Sequence, residues 1–305
     1  MKNEVKNVGA SVLAKLQNKA EGSKQPFAEI LQYYGMERFL YRLSQSEYAE
    51  QFILKGALMF TAWDVPERRT TRDIDFLARL GNELAVIENV VKGICQVQVV
   101  PDGITFDPDT TRAEKIKEDA DYEGIRVKFR GFVDRALIPM QIDFGFGDIV
   151  YPRPRAIDYP AILDFPKPHL KGYTAESVVS EKFESMIYLG SANSRMKDFY
   201  DLWLLARRFD FKGADLAGAI KKTFDRRKTP LPQGAPLFTE EIYDEQSDRQ
   251  GLWKAFLSKR QINHAPEQLS MAAKSIEDFL VKPLEVISKD QVFKEVWKAS
   301  GPWHP

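Results

Sequence analysis

Cysteine is nearly absent from this chain: Cys95 stands alone among 305 residues. An internal disulfide framework and a cysteine-built zinc site are thereby excluded. Histidine is almost as scarce, and His169, His264 and His304 lie too far apart in sequence to form a clustered ligand motif. Net charge is missing as well. Lys plus Arg and Asp plus Glu number 44 each, so no whole-molecule basic field draws in nucleic acid, and any such binding must come from a local patch. No apolar run approaches the ~20 residues that cross a bilayer. The opening Met1-Lys2-Asn3-Glu4 is charged with no apolar segment behind it, unlike a secretory signal. A cytoplasmic chain without a membrane partner is expected. The rest is ordinary globular composition, 44% hydrophobic and 29% charged, enough for one large domain or two of common size.

Residues 8–20 carry Val8, Val12, Leu13 and Leu16 at helical spacing. A second helix is expected over 27–35 and a third over 37–43, with Ser44 and Glu47 spaced as the capping box of another. Gln51 to Leu54 reads as a short strand closed by Gly56, and Ala57 to Trp63 as a short helix. Asp73-Ile74-Asp75-Phe76-Leu77 alternates with period two. Leu84 to Ile94 is helical in pattern, and 96–100 and 103–106 are strand candidates. Residues 123–132 set Ile125, Val127 and Phe129 against Arg126, Lys128 and Arg130, a half-buried strand with a basic outer face. Residues 136–144 form another strand, with Pro139 marking an edge or a bulge. The five prolines of 150–173 read as a linker, and everything after Thr174 is helical in pattern. The expected organisation is an N-terminal helical cover (1–45), an α/β core (46–150), a proline-rich linker (151–173) and a helical domain (174–305).

Asp73 and Asp75 stand at i and i+2 of a strand, so both carboxylates leave one face. Held a few ångströms apart they repel unless a cation lies between them, and Mg²⁺ prefers such oxygens. The ordinary alternative is a solvated acidic strand face. Asp143 adds weight, because Met140, Ile142 and Phe144 alternate inward while Gln141 and Asp143 point the other way. A third carboxylate on a second strand is what two-metal phosphoryl transfer needs, as metal ligand or as base. A nuclease would use the same acids. Upstream, Lys55-Gly56-Ala57 lies between a strand and a helix, seventeen residues before Asp73 when counted from Gly56. A glycine there lets backbone N–H groups approach a phosphate. Further on, Lys182 falls in an apolar helical stripe between Val179 and Met186, where a lysine either snorkels or waits for an anion. Asp198 and Asp201 share a stripe with Leu202 and Leu205, and Lys182 is their natural partner, in an ion pair or in a nucleotide site.

Strand, glycine turn, helix and Asp-X-Asp strand follow the order of polymerase-beta-like nucleotidyltransferases. The sequence resembles the AbiEii/AbiGii toxin family of these enzymes in the stretches Arg38 to Ser44, Phe52 to Leu58, Thr71 to Phe76, Gln141 to Gly145, Ala175 to Gly190 and Asn193 to Leu202. Thr223 to Arg227 followed by Pro230-Leu231-Pro232 also fits. The resemblance implies an α+β fold: a mixed-sheet nucleotidyltransferase core with N-terminal helices and a C-terminal helical domain. It implies a toxin of a toxin–antitoxin or phage-defence system that moves NMP from an NTP to an acceptor such as tRNA, with a cognate antitoxin as partner. Asp73, Asp75 and Asp143 would hold Mg²⁺, and Lys182 and Asp198 would complete the catalytic set. Lys55, Gly56, Ala57, Thr71, Arg72, Lys197 and Asp201 would line the nucleotide. Some relatives carry a serine implicated in modification where Thr71 stands. One departure is Ala57, where the family commonly has Gly or Ser, which removes a hydroxyl from the phosphate turn. A scaffold that binds a nucleotide or a partner protein without turnover is the alternative.

Overall fold

The alternating stretches around Arg126 and Asp143 become long antiparallel strands in the computed structural model, which describes residues 7–119 and 122–305. The chain divides into two compact units. The first is Met1–Asp64, Thr70–Gly147 and Arg155–Gly172; the second is Val65–Arg69, Asp148–Pro154 and Tyr173–Pro305.

The first unit is built on a seven-stranded mixed sheet. It contains β1 (Phe52–Lys55), β2 (Ile74–Ala78), β3 (Ile104–Asp119), β4 (Tyr122–Val133), β5 (Ala136–Phe146), β6 (Arg155–Asp158) and β7 (His169–Gly172), in the order β3-β4-β5-β2-β1-β7-β6. The β5–β2 and β1–β7 pairs are parallel and the others antiparallel. Two helices, α1 (Val8–Ser23) and α2 (Phe27–Ser44), serve the apolar side. Phe39 of α2 meets Phe106 and Phe129 at ring distances of 5.8 and 5.3 Å. Phe52, Phe76 and Phe144 cluster across β1, β2 and β5 at 5.3–5.9 Å. The helix α3 (Leu58–Ala62) follows β1, and α4 (Leu84–Cys95) precedes β3.

Several local expectations change here. The two helices expected over 27–35 and 37–43 are one, α2. Gly35 does not break it but lets it approach the sheet, since a Cβ there would lie 2.9 Å from Ile138 Cγ2. Ser44 ends that helix, its hydroxyl donating to the Tyr41 carbonyl (2.7 Å), so the capping box with Glu47 does not form. Residues 96–100 are not a strand: Gln96 closes α4, while the candidate at 103–106 becomes the start of β3. Pro139 is tolerated because β2 pairs β5 only from Ile142 onward, leaving β5 locally an edge at Pro139. Within the proline-rich 151–173, β6 and β7 form and join the sheet through β1.

The second unit is mainly helical, with α5 (Ala175–Leu189), α6 (Met196–Arg208), α7 (Gly213–Arg227), α8 (Glu240–Tyr243), α9 (Asp248–Lys259) and α10 (Leu269–Ser288). Thr174 caps α5 through the Ser177 N–H. The all-helical expectation after Thr174 fails at one place. Strands β8 (Phe211–Lys212), β9 (Val296–Trp297) and β10 (Trp303–His304) form a small antiparallel sheet. Its aromatic side chains surround Phe279, with Phe211 at 4.9 Å and Trp297 at 5.0 Å. Pro283 inside α10 cannot donate to the Phe279 carbonyl one turn back, and the Trp303 indole N–H takes that acceptor instead (3.1 Å). Strands only two residues long leave no readable alternation, which is why the pattern missed them.

Candidate functional site

Register decides what gathers on the polar face of the first sheet. Asp75 of β2 lies directly beside Asp143 of β5, with Lys55 of β1 on its other side and Arg126 of β4 beyond Asp143. Because side chains alternate along a strand, these positions share one face, and Asp73, two residues before Asp75, joins them. Carboxylate oxygens of Asp73, Asp75 and Asp143 lie within 4.8 Å of one another. The three expected carboxylates are therefore brought together. Asp143 is buried and the other two are half-buried.

The carboxylates are held by their neighbours. Arg126 grips Asp143 with both prongs, Nε to Oδ1 at 2.8 Å and Nη2 to Oδ2 at 2.7 Å. The hydrogen bonds and charge of Asp143 outweigh partial burial and hold that guanidinium above its ordinary pKa. The Thr71 hydroxyl donates to Asp73 Oδ1, and the Thr71 N–H donates to the Tyr33 hydroxyl at 3.2 Å. Gln32 of α2 donates to the carbonyls of Arg72 (3.3 Å) and Pro139 (3.1 Å), tying the Asp73 approach to β5. Arg72 is itself exposed. Lys55 is 7% exposed. Gly56 has φ +70°, and a Cβ built on it would sit 1.9 Å from Asp75 Oδ2. Glycine thus makes room for a carboxylate here, as well as turning the chain into the short α3. Ala57 is buried at the start of that helix.

An all-oxygen donor set of three carboxylates suits a hard cation such as Mg²⁺ over a soft one. The residues present fit such an ion: the oxygens converge, and Gly56 makes the room that lets the Asp75 carboxylate take its place among them.

In the second unit, Lys182 of α5 is brought to the two aspartates of α6. Its Nζ lies 2.8 Å from Asp198 Oδ1 and 2.7 Å from Asp201 Oδ2. Arg195 reaches Asp198 (2.7 Å), and Arg69 grips Asp201 through Nε (3.0 Å) and Nη2 (3.1 Å). Asp198 and Asp201 are 0% and 1% exposed. Burial alone would lower the Lys182 pKa, but Asp198 and Asp201 outweigh it and raise it. Burial likewise opposes ionisation of the two aspartates; Lys182 and Arg195 keep Asp198 low, and Arg69 and Lys182 keep Asp201 low. Lys197, exposed on α6, stands within electrostatic reach of Asp198, Lys182, Arg195 and Arg69, and partial desolvation lowers its pKa. The reading of Lys182 as partner of both aspartates thus matches the geometry. The grips of Arg126 on Asp143 and Arg69 on Asp201 were not foreseen. Arg126 stood out on the basic face of its strand, but pairing either arginine needed strand register and a loop path that periodicity does not carry.

Strand, glycine turn, helix and Asp-X-Asp strand, with a third aspartate on the parallel neighbour, make this a nucleotidyltransferase core. The family model for the nucleotidyl transferase AbiEii toxin of type IV toxin–antitoxin systems matches residues 38–280, well over half of the chain. The chain belongs to that family, and it is a nucleotidyltransferase. Among solved structures, JHP933 from Helicobacter pylori is 18% identical, over 83% of this chain and 92% of its own, with a TM-score of 0.40. A candidate nucleotidyltransferase from H. pylori is 16% identical, over 86% of this chain and 97% of its own, also at 0.40. No curated protein matches. Among the described residues no helix is long and apolar enough to cross a membrane.

Proposed function

We propose that this chain transfers a nucleoside monophosphate from an NTP to the 3′ end of an RNA such as tRNA. Asp73, Asp75 and Asp143 would hold Mg²⁺ for that reaction. The observation that carries the reading is the convergence of three carboxylates on one sheet face, flanked by the cations Lys55 and Arg126. When bound, the metal supplies charge neutralisation for the triphosphate and acidity for the attacking hydroxyl. In the reaction the acceptor oxygen forms a bond to the α-phosphorus, the bond to pyrophosphate breaks, and the hydroxyl proton leaves to solvent or a nearby base. Arg126 donates to both oxygens of Asp143, so use of that carboxylate, as ligand or as base, requires the arginine to give way. Gly56 and Ala57 offer backbone to the phosphates. Lys128 and Arg130 continue the basic side of β4 from Arg126 on the same face, exposed and suited to RNA phosphates. As a family member in a type IV system, the chain would work against a cognate antitoxin, in a setting such as phage defence.

The test incubates purified protein with Mg²⁺, total tRNA and each labelled NTP in turn. Label entering RNA with a preferred NTP, and lost in Asp75→Asn, is the expected result. Label on the protein itself would redirect the reading to self-modification, with Thr71 the first position to map. Bound NTP with no label transferred would leave a nucleotide-holding scaffold.

A further inference from the structure

Four ionic side chains stand in one row across the first sheet: Arg126, Asp143, Asp75 and Lys55, one on each of four adjacent strands. Their signs run plus, minus, minus, plus. Arg126 stands at one end of the row, with its side chain 31% exposed against 9% for Asp143. Its fork occupies one in-plane position on each oxygen of Asp143. A divalent cation drawn to the same carboxylate meets that positive fork at close range, where like charges repel strongly. Three carboxylates set against Arg126 and Lys55 leave the cluster with a single net negative charge. That is enough to attract one divalent cation and too little to hold two.

We propose that Arg126 is a built-in competitor for the cation at Asp143, a positioning residue that keeps the nucleotide-free site from filling with two metals. The triphosphate is polyanionic and supplies both the missing charge and a better partner for Arg126. A guanidinium binds phosphate oxygens with the same bidentate fork it uses on a carboxylate, so the exchange replaces one good partner with another. Asp143 is released for ligation only when substrate is present. Partial exposure allows this turn without disturbing the core beneath, where Val127 and Ile125 face the other way. The neighbouring Lys128 is paired with Glu114 (2.6 Å) and does not compete for Asp143. The inference rests on the reading of the triad as a metal site.

Mn²⁺ binding to the full-length protein, followed by electron paramagnetic resonance of the free ion, tests it without reference to turnover. Without nucleotide, Arg126→Gln is expected to bind Mn²⁺ about tenfold more tightly than the parent, and to bind a non-hydrolysable NTP analogue about tenfold more weakly. Equal or weaker Mn²⁺ binding in a variant whose thermal melt is unchanged would overturn the proposal and leave the metal reading intact. Should Arg126→Gln not fold, Arg126→Lys carries the same comparison, since it keeps the charge and loses the fork; severalfold tighter binding is then expected. Asp75→Asn is expected to abolish binding in either background. If no Mn²⁺ binds the parent or Arg126→Gln, the metal reading falls and this proposal with it.

Discussion

At position 56 two demands coincide on one residue. The backbone needs a left-handed φ of +70°, and the Asp75 carboxylate lies where a Cβ would go. Each alone favours glycine; together they tie the turn to the acid. Gly56→Ala is therefore expected to strain the turn by about 1–2 kcal/mol and to push Asp75 aside. A shift of about 1 Å at a reacting centre costs about a hundredfold in rate. Nucleotide transfer should fall by that factor, with only a modest loss in melting temperature. Wild-type rates in the variant would show that Asp75 need not stay where the fold puts it. The sequence made Gly56 a candidate for approach to phosphate. Its contact with Asp75 was not legible, because it depends on β1 and β2 pairing antiparallel in this register.

Elements matter where a single helix carries several buried charges. On α2, Glu37 and Arg38 are both fully buried and paired at 2.8 Å, and they hold the segment before β7: Glu37 accepts from the Ile162 N–H at 2.6 Å and Arg38 donates to the Pro166 carbonyl at 2.7 Å. Burial is the largest influence on Glu37 and, against the pull of Arg38, raises its pKa from 4.5 to about 7. The folded state thus favours the protonated acid. The stability this contributes is fully present below about pH 4.5 and is lost as pH rises through about 7. Denaturant midpoints measured at mildly acidic and mildly alkaline pH should show the decline, and Glu37→Gln should flatten it. An unchanged slope in the glutamine variant would assign the decline to another group.

The pair α5 and α6 gives the opposite case. Depressed Asp198 and Asp201 contribute stability that is present above the ordinary aspartate range and is lost as pH falls. Raised Lys182 contributes stability that is lost only as pH climbs past the ordinary lysine range. This cluster is expected to be indifferent to pH near neutrality. Lys182→Met would take away the one cation that contacts both buried carboxylates, at a cost of about 3 kcal/mol in denaturant unfolding. Adding Asp198→Asn should recover part of it. A cost well under that, together with lost transfer activity, would mean that Lys182 is held chiefly for substrate.

Across the whole molecule, neutrality in total charge conceals strong local sorting. Acids converge at Asp73, Asp75 and Asp143, basic side chains line β4, and further pairs are buried around Lys182. The sequence by itself determined the identity of these groups and, through period-two alternation, which face of its strand each one takes. It also carried the order of strand, glycine turn, helix and acid-bearing strand, because those signals are local and repeat within a few residues. Tertiary structure alone decided that β2 lies parallel to β5, so that Asp75 meets Asp143, and that β4 pairs with β5 in the register that hands Asp143 to Arg126. It also decided that Arg69 closes on Asp201, and that the freed Phe279 carbonyl is taken by Trp303. These contacts join residues far apart in the chain. Their geometry is set by packing and backbone hydrogen-bond satisfaction over the whole fold, which no local window of sequence contains.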